Sequence, residues 1–347
     1  MNLDKNVEAR VNQGLLGRWY VVAKSVDVKP DAPLAVKALG RALVLWRSED
    51  SQLNCVEDRC PHRGARLSCG RIVGRHISCR YHGLTIDRTG AIVSVPALGK
   101  SGLEGRKAVA AYAVEEAHDG VFVYFPSAEH PQPVPLALPV DLVDPANTSF
   151  LCAAQWDCNY RYIVENLVDP MHGIYLHGDS FTLAHGTRTD KIEIEQTESG
   201  FIVQRAAQRG VNFDWVEMVT NTSFMHARVI IPYPMSGGPG GHMLVVPSVT
   251  PLDELHSRIF FWRTRKVSGV ERELWRFLFR TTFEARHWEV LEQDRDMLSS
   301  MPDSARAREL LYQHDGGVVR IRDTLAQQAR RQIEAEVASA SAERATG

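Results

Sequence analysis

Aromatic and β-branched residues cluster in short runs early in the chain: Gly17–Lys24, Ala42–Trp46, Ile92–Val95 and Gly120–Phe125. Such runs predict strands, so the first 126 residues read as a mainly antiparallel β domain. The pattern breaks over 127–145, where Pro131, Pro133, Pro135 and Pro139 disfavour regular structure and mark a connection. Asn159–Val168 reads as a helix that stops at Asp169, because a residue before proline (Pro170) avoids the α region. Ile202–Ala206, Phe224–Ile231, Met243–Val249 and Arg258–Thr264 read as strands of a larger antiparallel sheet, with Gly237–Gly241 as a turn between two of them. From Val270 to Ser299 the period becomes helical, with Leu274, Phe277, Leu278, Thr281, Phe283, Trp288 and Leu291 as the apolar stripe. An α+β domain over 146–326 is expected, and 327–347, rich in Ala, Glu, Arg and Ser, reads as a solvated helical tail that frays.

Composition narrows the class without changing this outline. A chain of 347 residues with 44% hydrophobic residues can fill two cores. A formal charge of −2 gives no general pull toward nucleic acid or membrane. The start, Met1–Glu8, lacks a signal-peptide apolar core, and no apolar run approaches membrane-spanning length, so a cytoplasmic protein is expected. Cys55, Cys69, Cys152 and Cys158 are then expected to be reduced packing residues.

Two of the six cysteines carry chemistry. Cys60-Pro61-His62 and Cys79-Arg80-Tyr81-His82 are two boxes with one Cys and one His each. That division suits a Rieske [2Fe-2S] cluster, in which two thiolates hold one iron and two imidazoles the other, raising its reduction potential. Pro61 fixes one backbone angle between ligands, and Gly64 and Gly83 let each loop turn beyond its His. Tetrahedral zinc also takes two Cys and two His. Zinc fingers, however, group Cys-x-x-Cys before His-x-x-x-His, which is not the order here.

A second constellation lies downstream, where Asn166, Asp169, His172 and His177 fall in the pattern Asn-x-x-Asp-x-x-His-x-x-x-x-His. Two histidines and a carboxylate can hold ferrous iron on one face and leave positions open for oxygen and substrate. The carboxylate is not selected by spacing alone from 42 acidic residues. Asp294, on the amphipathic run, is the candidate, with Glu292 and Asp296 as fallbacks. Trp156, Phe213, Trp215, Phe224, Phe260, Phe261 and Trp262 are candidates to line an apolar cavity. No glycine-rich nucleotide loop is evident, so electrons must come from a separate reductase.

Cys60–Ala65 and Cys79–Gly83 resemble the boxes of the Rieske non-heme iron oxygenases, the oxygenase components of aromatic ring-hydroxylating dioxygenases and demethylating monooxygenases. Leu84 stands where many members have Trp. Respiratory Rieske proteins carry an extra Cys in each box, absent from Arg63-Gly64-Ala65 and Gly83-Leu84-Thr85. The resemblance implies a β Rieske domain followed by a helix-grip (START-like) catalytic domain with a long C-terminal helix. It also implies a Rieske cluster on Cys60, His62, Cys79 and His82, and a mononuclear Fe(II) on His172, His177 and Asp294. Asn166 would stand behind the iron ligands. In such proteins a ring-shaped homotrimer carries electrons between subunits, and here Asp169 would bridge His172 of one chain and His82 of the next. The implied activity is hydroxylation or oxidative demethylation of a small aromatic substrate with O2. An NAD(P)H-dependent reductase, with or without a ferredoxin, would supply the electrons. Ring cis-dihydroxylation uses the same iron and is the alternative, and a pure electron carrier or a zinc protein are the readings from other classes.

Overall fold

The early apolar runs form strands of one unit, Leu16–Val134, in a computed structural model that describes residues 3–180, 182–233 and 240–346. Its strands are β1 (Arg18–Lys24), β2 (Leu34–Ala38), β3 (Arg41–Arg47), β4 (Leu53–Glu57), β5 (Arg71–Val73), β6 (His76–Ser78), β7 (Thr85–Ile86), β8 (Ile92–Ser94), β9 (Val114–Ala117) and β10 (Gly120–Phe125). They pair antiparallel in the orders β1-β10-β9, β2-β3-β4 and β5-β6-β7-β8. Alternation along β3 serves two cores at once. Leu43 and Leu45 pack with Tyr20, Val121 and Phe125. Val44 and Trp46 pack with Ile77 and Ile86 around Cys60 and Cys79.

The rest of the described chain forms a second unit. It contains α1 (Leu3–Gln13), α2 (Val140–Val143), β11 (Asn147–Trp156), α3 (Tyr160–Leu167), α4 (His172–Leu176), β12 (Ile192–Gln196), β13 (Gly200–Arg205), β14 (Trp215–Val219), β15 (His226–Pro232), β16 (His242–Pro251), β17 (Ser257–Lys266), α5 (Gly269–Leu278), α6 (Glu284–Ser299) and α7 (Gly316–Thr346). The seven strands make one antiparallel sheet in the order β11-β17-β16-β15-β14-β13-β12. The expected glycine-rich turn falls between β15 and β16. Its residues 237–239 lie outside the described ones, and the amide of Tyr233 donates to the Gly241 carbonyl at 2.7 Å across it.

The helical run lies on the sheet through Leu278, Phe283, Trp288 and Leu291 of the expected stripe, but not through Leu274, Phe277 and Thr281. Trp275, Phe279, Phe283 and His287 are buried, whereas Leu274 and Phe277 are exposed. Four-residue spacing over twelve residues drifts about 120° around an α-helix. A π-helical turn at Phe279–Phe283 separates α5 from α6 and takes up about one residue, which cancels most of that drift. Phe279 then stacks on Phe150 at 4.2 Å and Trp288 meets Phe261 at 5.5 Å, while Asp294 and Leu298 stay on the buried side.

The C-terminal tail corrects a second expectation. It is helical as expected, being the end of α7, but its first turns are packed rather than solvated: Ala329 and Ile333 are buried in line with Ile321 and Leu325 just before the tail, and no described side chain beyond Ile333 is buried. The N-terminal helix α1 supplies the missing apolar partner through Val7 and Val11, and Arg10 pairs with Glu336 at 2.8 Å. The first turn of α7 touches the end of α3, where a Cβ on Gly317 would lie 2.3 Å from the Val168 carbonyl oxygen. Gly317→Ala should therefore destabilise by about 1–3 kcal/mol of overpacking, against a helix-propensity gain of at most about 1 kcal/mol. Thermal unfolding checks this, and an unchanged or raised Tm would refute the close approach.

Candidate metal centres

In the first unit the two boxes form loops with the same hydrogen bonding. The amide of Cys60 donates to the Ala65 carbonyl at 2.8 Å and that of Gly64 to the Cys60 carbonyl at 2.9 Å. Cys79 donates to Leu84 at 2.8 Å and Gly83 to Cys79 at 2.9 Å. Gly64 and Gly83 occupy the left-handed region at φ 78° and 74°, where a Cβ would be strained. The hydroxyls of Ser78 and Thr85 both donate to the Gly83 carbonyl, at 3.1 and 3.0 Å. The Leu84 side chain is buried in the core behind the loops.

The loops bury Cys60 and Cys79, leave His62 and His82 exposed, and set the two imidazoles 4.8 Å apart, centre to centre. Burial pushes the Cys60 thiol above its ordinary range, opposed by the amide of His62, and contact with Cys79 pushes it further up. A thiol held up in this way becomes a thiolate readily only beside a cation, and the nearness of Cys79 fits an iron shared by the two. Cys55, Cys152 and Cys158 are buried free thiols, as expected of packing residues, but Cys69 is exposed. It sits in a short turn at the surface and packs against nothing in the core.

In the second unit α3 begins with the Asn159 side chain accepting from the Arg161 amide at 3.0 Å, and its last turn carries Glu165 and Asn166. The chain turns at Asp169-Pro170 and restarts as α4, with His172 first and His177 just past its end. From the sheet-packed helix α6 comes Asp294. The Nε2 of His177 lies 3.3 Å and that of His172 3.6 Å from Asp294 Oδ1, and one ligand atom from each residue lies within 4.8 Å of the others. Donors about 2.1 Å from one ion stand roughly 3–3.5 Å apart, so the separation of each imidazole from Asp294 suits a shared divalent ion. Glu292 and Asp296 point to solvent, where both pair with Arg295.

Two further contacts fix the imidazoles. His172 Nδ1 is 2.6 Å from the Asp169 carbonyl oxygen and His177 Nδ1 is 2.8 Å from Gln293 Oε1. Both partners accept, so Nδ1 carries the proton and each Nε2 turns a lone pair toward Asp294. Burial works against protonation of His177, but Asp294 and Gln293 outweigh it and raise its pKa. Protons and metal thus compete for this group as the pH falls. Asn166 Nδ2 donates to Asp294 Oδ1 at 3.2 Å.

Asp169 departs from expectation. Its carboxylate does not hydrogen-bond His172: Oδ2 stands 4.0 Å away, and Oδ1 accepts from the Met171 amide at 3.0 Å in a local turn. The backbone reaches the imidazole first because Pro170 turns the chain there. Gln293 was missed, since nothing in the sequence distinguishes an amide beside the acidic candidate from ordinary helix surface.

A cavity of about 120 Å³ opens beside the trio. Of the seven aromatic candidates only Phe213 and Phe261 line it. Strand alternation sends Phe260 and Trp262 to the other face of β17, and Trp156 and Phe224 are core residues. Apolar residues supply most of the other walls, among them Leu183, Val229, Met243 and Leu291, with Asn166, Thr182, Arg263 and His287 as polar exceptions beside the trio.

Residues 18–113 match the Rieske [2Fe-2S] domain family, and residues 156–331, half of the chain, match the vanillate O-demethylase oxygenase C-terminal domain family. Among curated relatives, the chloroplastic protein TIC 55 of Arabidopsis thaliana is 29% identical over 52% of this chain and 34% of its own. The vanillate O-demethylase oxygenase subunit of Pseudomonas sp. (strain HR199 / DSM 7063) is 31% identical over 47% of this chain and 45% of its own. The chain thus spans about a third to a half of the length of these relatives. The terminal oxygenase of carbazole 1,9a-dioxygenase from Novosphingobium sp. KA1 superposes with a TM-score of 0.75 at 22% identity, over 94% of this chain and 96% of that one, which establishes the shared fold. No helix among the described residues is long and apolar enough to cross a membrane. Two loops suited to a shared iron, then a catalytic domain of the vanillate O-demethylase type, make this chain a member of the Rieske non-heme iron oxygenase family.

Proposed function

We propose that the chain is the terminal oxygenase of a multicomponent Rieske system, hydroxylating or oxidatively demethylating a small aromatic substrate with O2. The observation that carries this is the convergence of His172, His177 and Asp294 at an apolar cavity. The family's cofactors are a Rieske [2Fe-2S] cluster and a mononuclear iron. Cys60, Cys79, His62 and His82 would hold the first, and His172, His177 and Asp294 the second. Bound there, the iron supplies dioxygen activation beside the substrate, and the cluster supplies single electrons.

This chain's own residues do the rest. Asn166 and Gln293 hold Asp294 and His177 in one orientation each. The aliphatic walls exclude water, and a cavity near 120 Å³ suits a single ring. Similarity to a vanillate O-demethylase oxygenase subunit favours demethylation over ring dihydroxylation.

The proposed assembly is a homotrimeric ring in the cytoplasm, closed as head-to-tail interfaces require. It is served by an NAD(P)H-dependent reductase, directly or through a ferredoxin. Exposed Tyr175, Met297 and Met301 beside Asp169 give an apolar surface suited to a neighbouring subunit.

Metal analysis of the purified protein and turnover with a surrogate reductase test the reading together. About three irons per chain and product formation from methoxylated or alkylated aromatics are expected. About two irons without turnover would leave an electron carrier, and stoichiometric zinc would overturn both cofactor assignments.

A further inference from the structure

The last turn of α3 carries a charge that the proposed chemistry does not use. Glu165 is 7% exposed, and arginines from the chain after α6 take both of its oxygens. Arg306, in the short turn Asp303–Arg308, donates from Nη2 to Oε1 at 2.6 Å. Arg322, on α7, donates from Nε to Oε1 at 3.0 Å and from Nη2 to Oε2 at 2.7 Å. The same guanidinium also holds Glu309, at 2.6 and 3.1 Å. Glu165 first, and then Glu309, raise the Arg322 pKa against burial. Arg306 lies over the ring of Tyr162 at 4.8 Å, one turn before Glu165 on the same face of α3.

A buried ion pair adds little net stability over apolar packing, because desolvation offsets the attraction. What an arginine fork on a carboxylate does fix is relative position, since two planar groups share two parallel bonds. Here α7 meets α3 at a second point, three residues further on, where Gly317 leaves no room for a Cβ beside the Val168 carbonyl. Asn166 lies between the two points. Its Nδ2 donates to Asp294 Oδ1 at 3.2 Å, the long end of the range for an N–H···O bond. Asp294 arrives on α6, so this bond joins separate elements and its length depends on where α3 ends. A displacement of about 0.5 Å would break it.

We infer that Glu165, clamped by Arg306 and Arg322, is a positioning residue for the metal trio: it fixes the end of α3 so that the Asn166 amide reaches Asp294. The C-terminal chain thereby sets the affinity of a metal centre to which it contributes no ligand. Glu165 touches neither metal nor substrate, and it transfers nothing. Its role rests on His172, His177 and Asp294 being a metal site, as proposed above.

The test uses the full chain with its Rieske cluster in place, stripped of the third metal by a chelator and titrated with Co(II) by calorimetry. Glu165→Gln keeps the shape of the side chain and removes its charge. It should weaken Co(II) binding about 10-fold, the low end of the range for groups behind a ligand, with the visible Rieske spectrum unchanged. Ile333→Ala, further along the packed face of α7, is the control for general loosening. It should lower Tm and leave Co(II) affinity as it was. A double variant reads the route: because Glu165 acts through Asn166, Glu165→Gln should cost clearly less in an Asn166→Ala background than alone. Wild-type affinity in Glu165→Gln, an equal loss in Ile333→Ala, or full additivity with Asn166→Ala each overturns this role. Should Glu165→Gln fail to fold, Arg322→Lys replaces it, keeping the cation and losing the fork, and wild-type affinity there overturns the role equally. Two failures stay distinct. A wild-type chain that takes up no third metal overturns the metal site and the clamp together, whereas a wild-type site matched by the variants overturns the clamp alone.

Discussion

Asp294→Ala is expected to lower the iron content from about three per chain to about two and to abolish product formation, with the visible Rieske spectrum unchanged. The expectation rests on geometry. Asp294 is 6% exposed and is the carboxylate that both His172 and His177 face. Its removal leaves two neutral imidazoles, too few donors to hold a divalent ion against water. The spectrum is preserved because the four cluster residues belong to the other unit of the chain. His172→Ala and His177→Ala should behave alike. Asn166→Ala and Gln293→Ala should instead cost roughly 10–100-fold in metal affinity or activity, since they only orient ligands. Iron analysis with single-turnover product assays checks the series. A variant lacking Asp294 that still holds the third iron and turns over would return the assignment to Glu292 or Asp296.

The second large effect concerns Asp169. In the proposed trimer its carboxylate links the His172 side of one subunit to His82 of the next, so Asp169→Ala should slow electron delivery by orders of magnitude while both metal sites and the trimer persist. The contacts within one chain make the test sharper. His172 is held by the Asp169 backbone carbonyl, which alanine keeps, and the carboxylate accepts only a local amide from Met171. Losing that local bond costs roughly 1 kcal/mol of stability and accounts for little lost turnover. Asp169→Asn retains an acceptor for Met171 but carries no charge. If the anion matters, it should fall nearly as far as alanine. Reoxidation of the reduced Rieske chromophore, with substrate and oxygen present, is the deciding measurement, and a wild-type rate in Asp169→Ala would sink the bridge.

How much was legible varies by element. The two loops are local: Cys60-Pro61-His62 and Cys79–His82 each present one Cys and one His within one turn, and the turns need glycine at 64 and 83, so residue type and spacing are sufficient to predict the loops. The same holds for Asn159 as a helix cap and for the stop before Pro170. The helical run after Val270 was visible, and so was the half of its stripe formed by Leu278, Phe283, Trp288 and Leu291, but not the phase of its first turns. Leu274 and Phe277 have the right character and face solvent, because a π turn resets the phase in order to dock Phe279 on Phe150. No local signal announces such a turn; it is favourable only once the sheet is there to pack against. The tail reads as polar for a similar reason, since its apolar partners Val7 and Val11 lie at the other end of the chain.

By itself, then, the sequence determined what is built from neighbours along the chain: the cluster boxes, the His172 and His177 spacing, and most of the strands. The tertiary structure alone decided which of Glu292, Asp294 and Asp296 turns inward, that Gln293 holds His177, and that aliphatic residues rather than a row of aromatics line most of the cavity. Those outcomes depend on helix phase and strand face. Both are set by burying apolar area against elements distant in sequence, and a shift of one residue would reverse each of them.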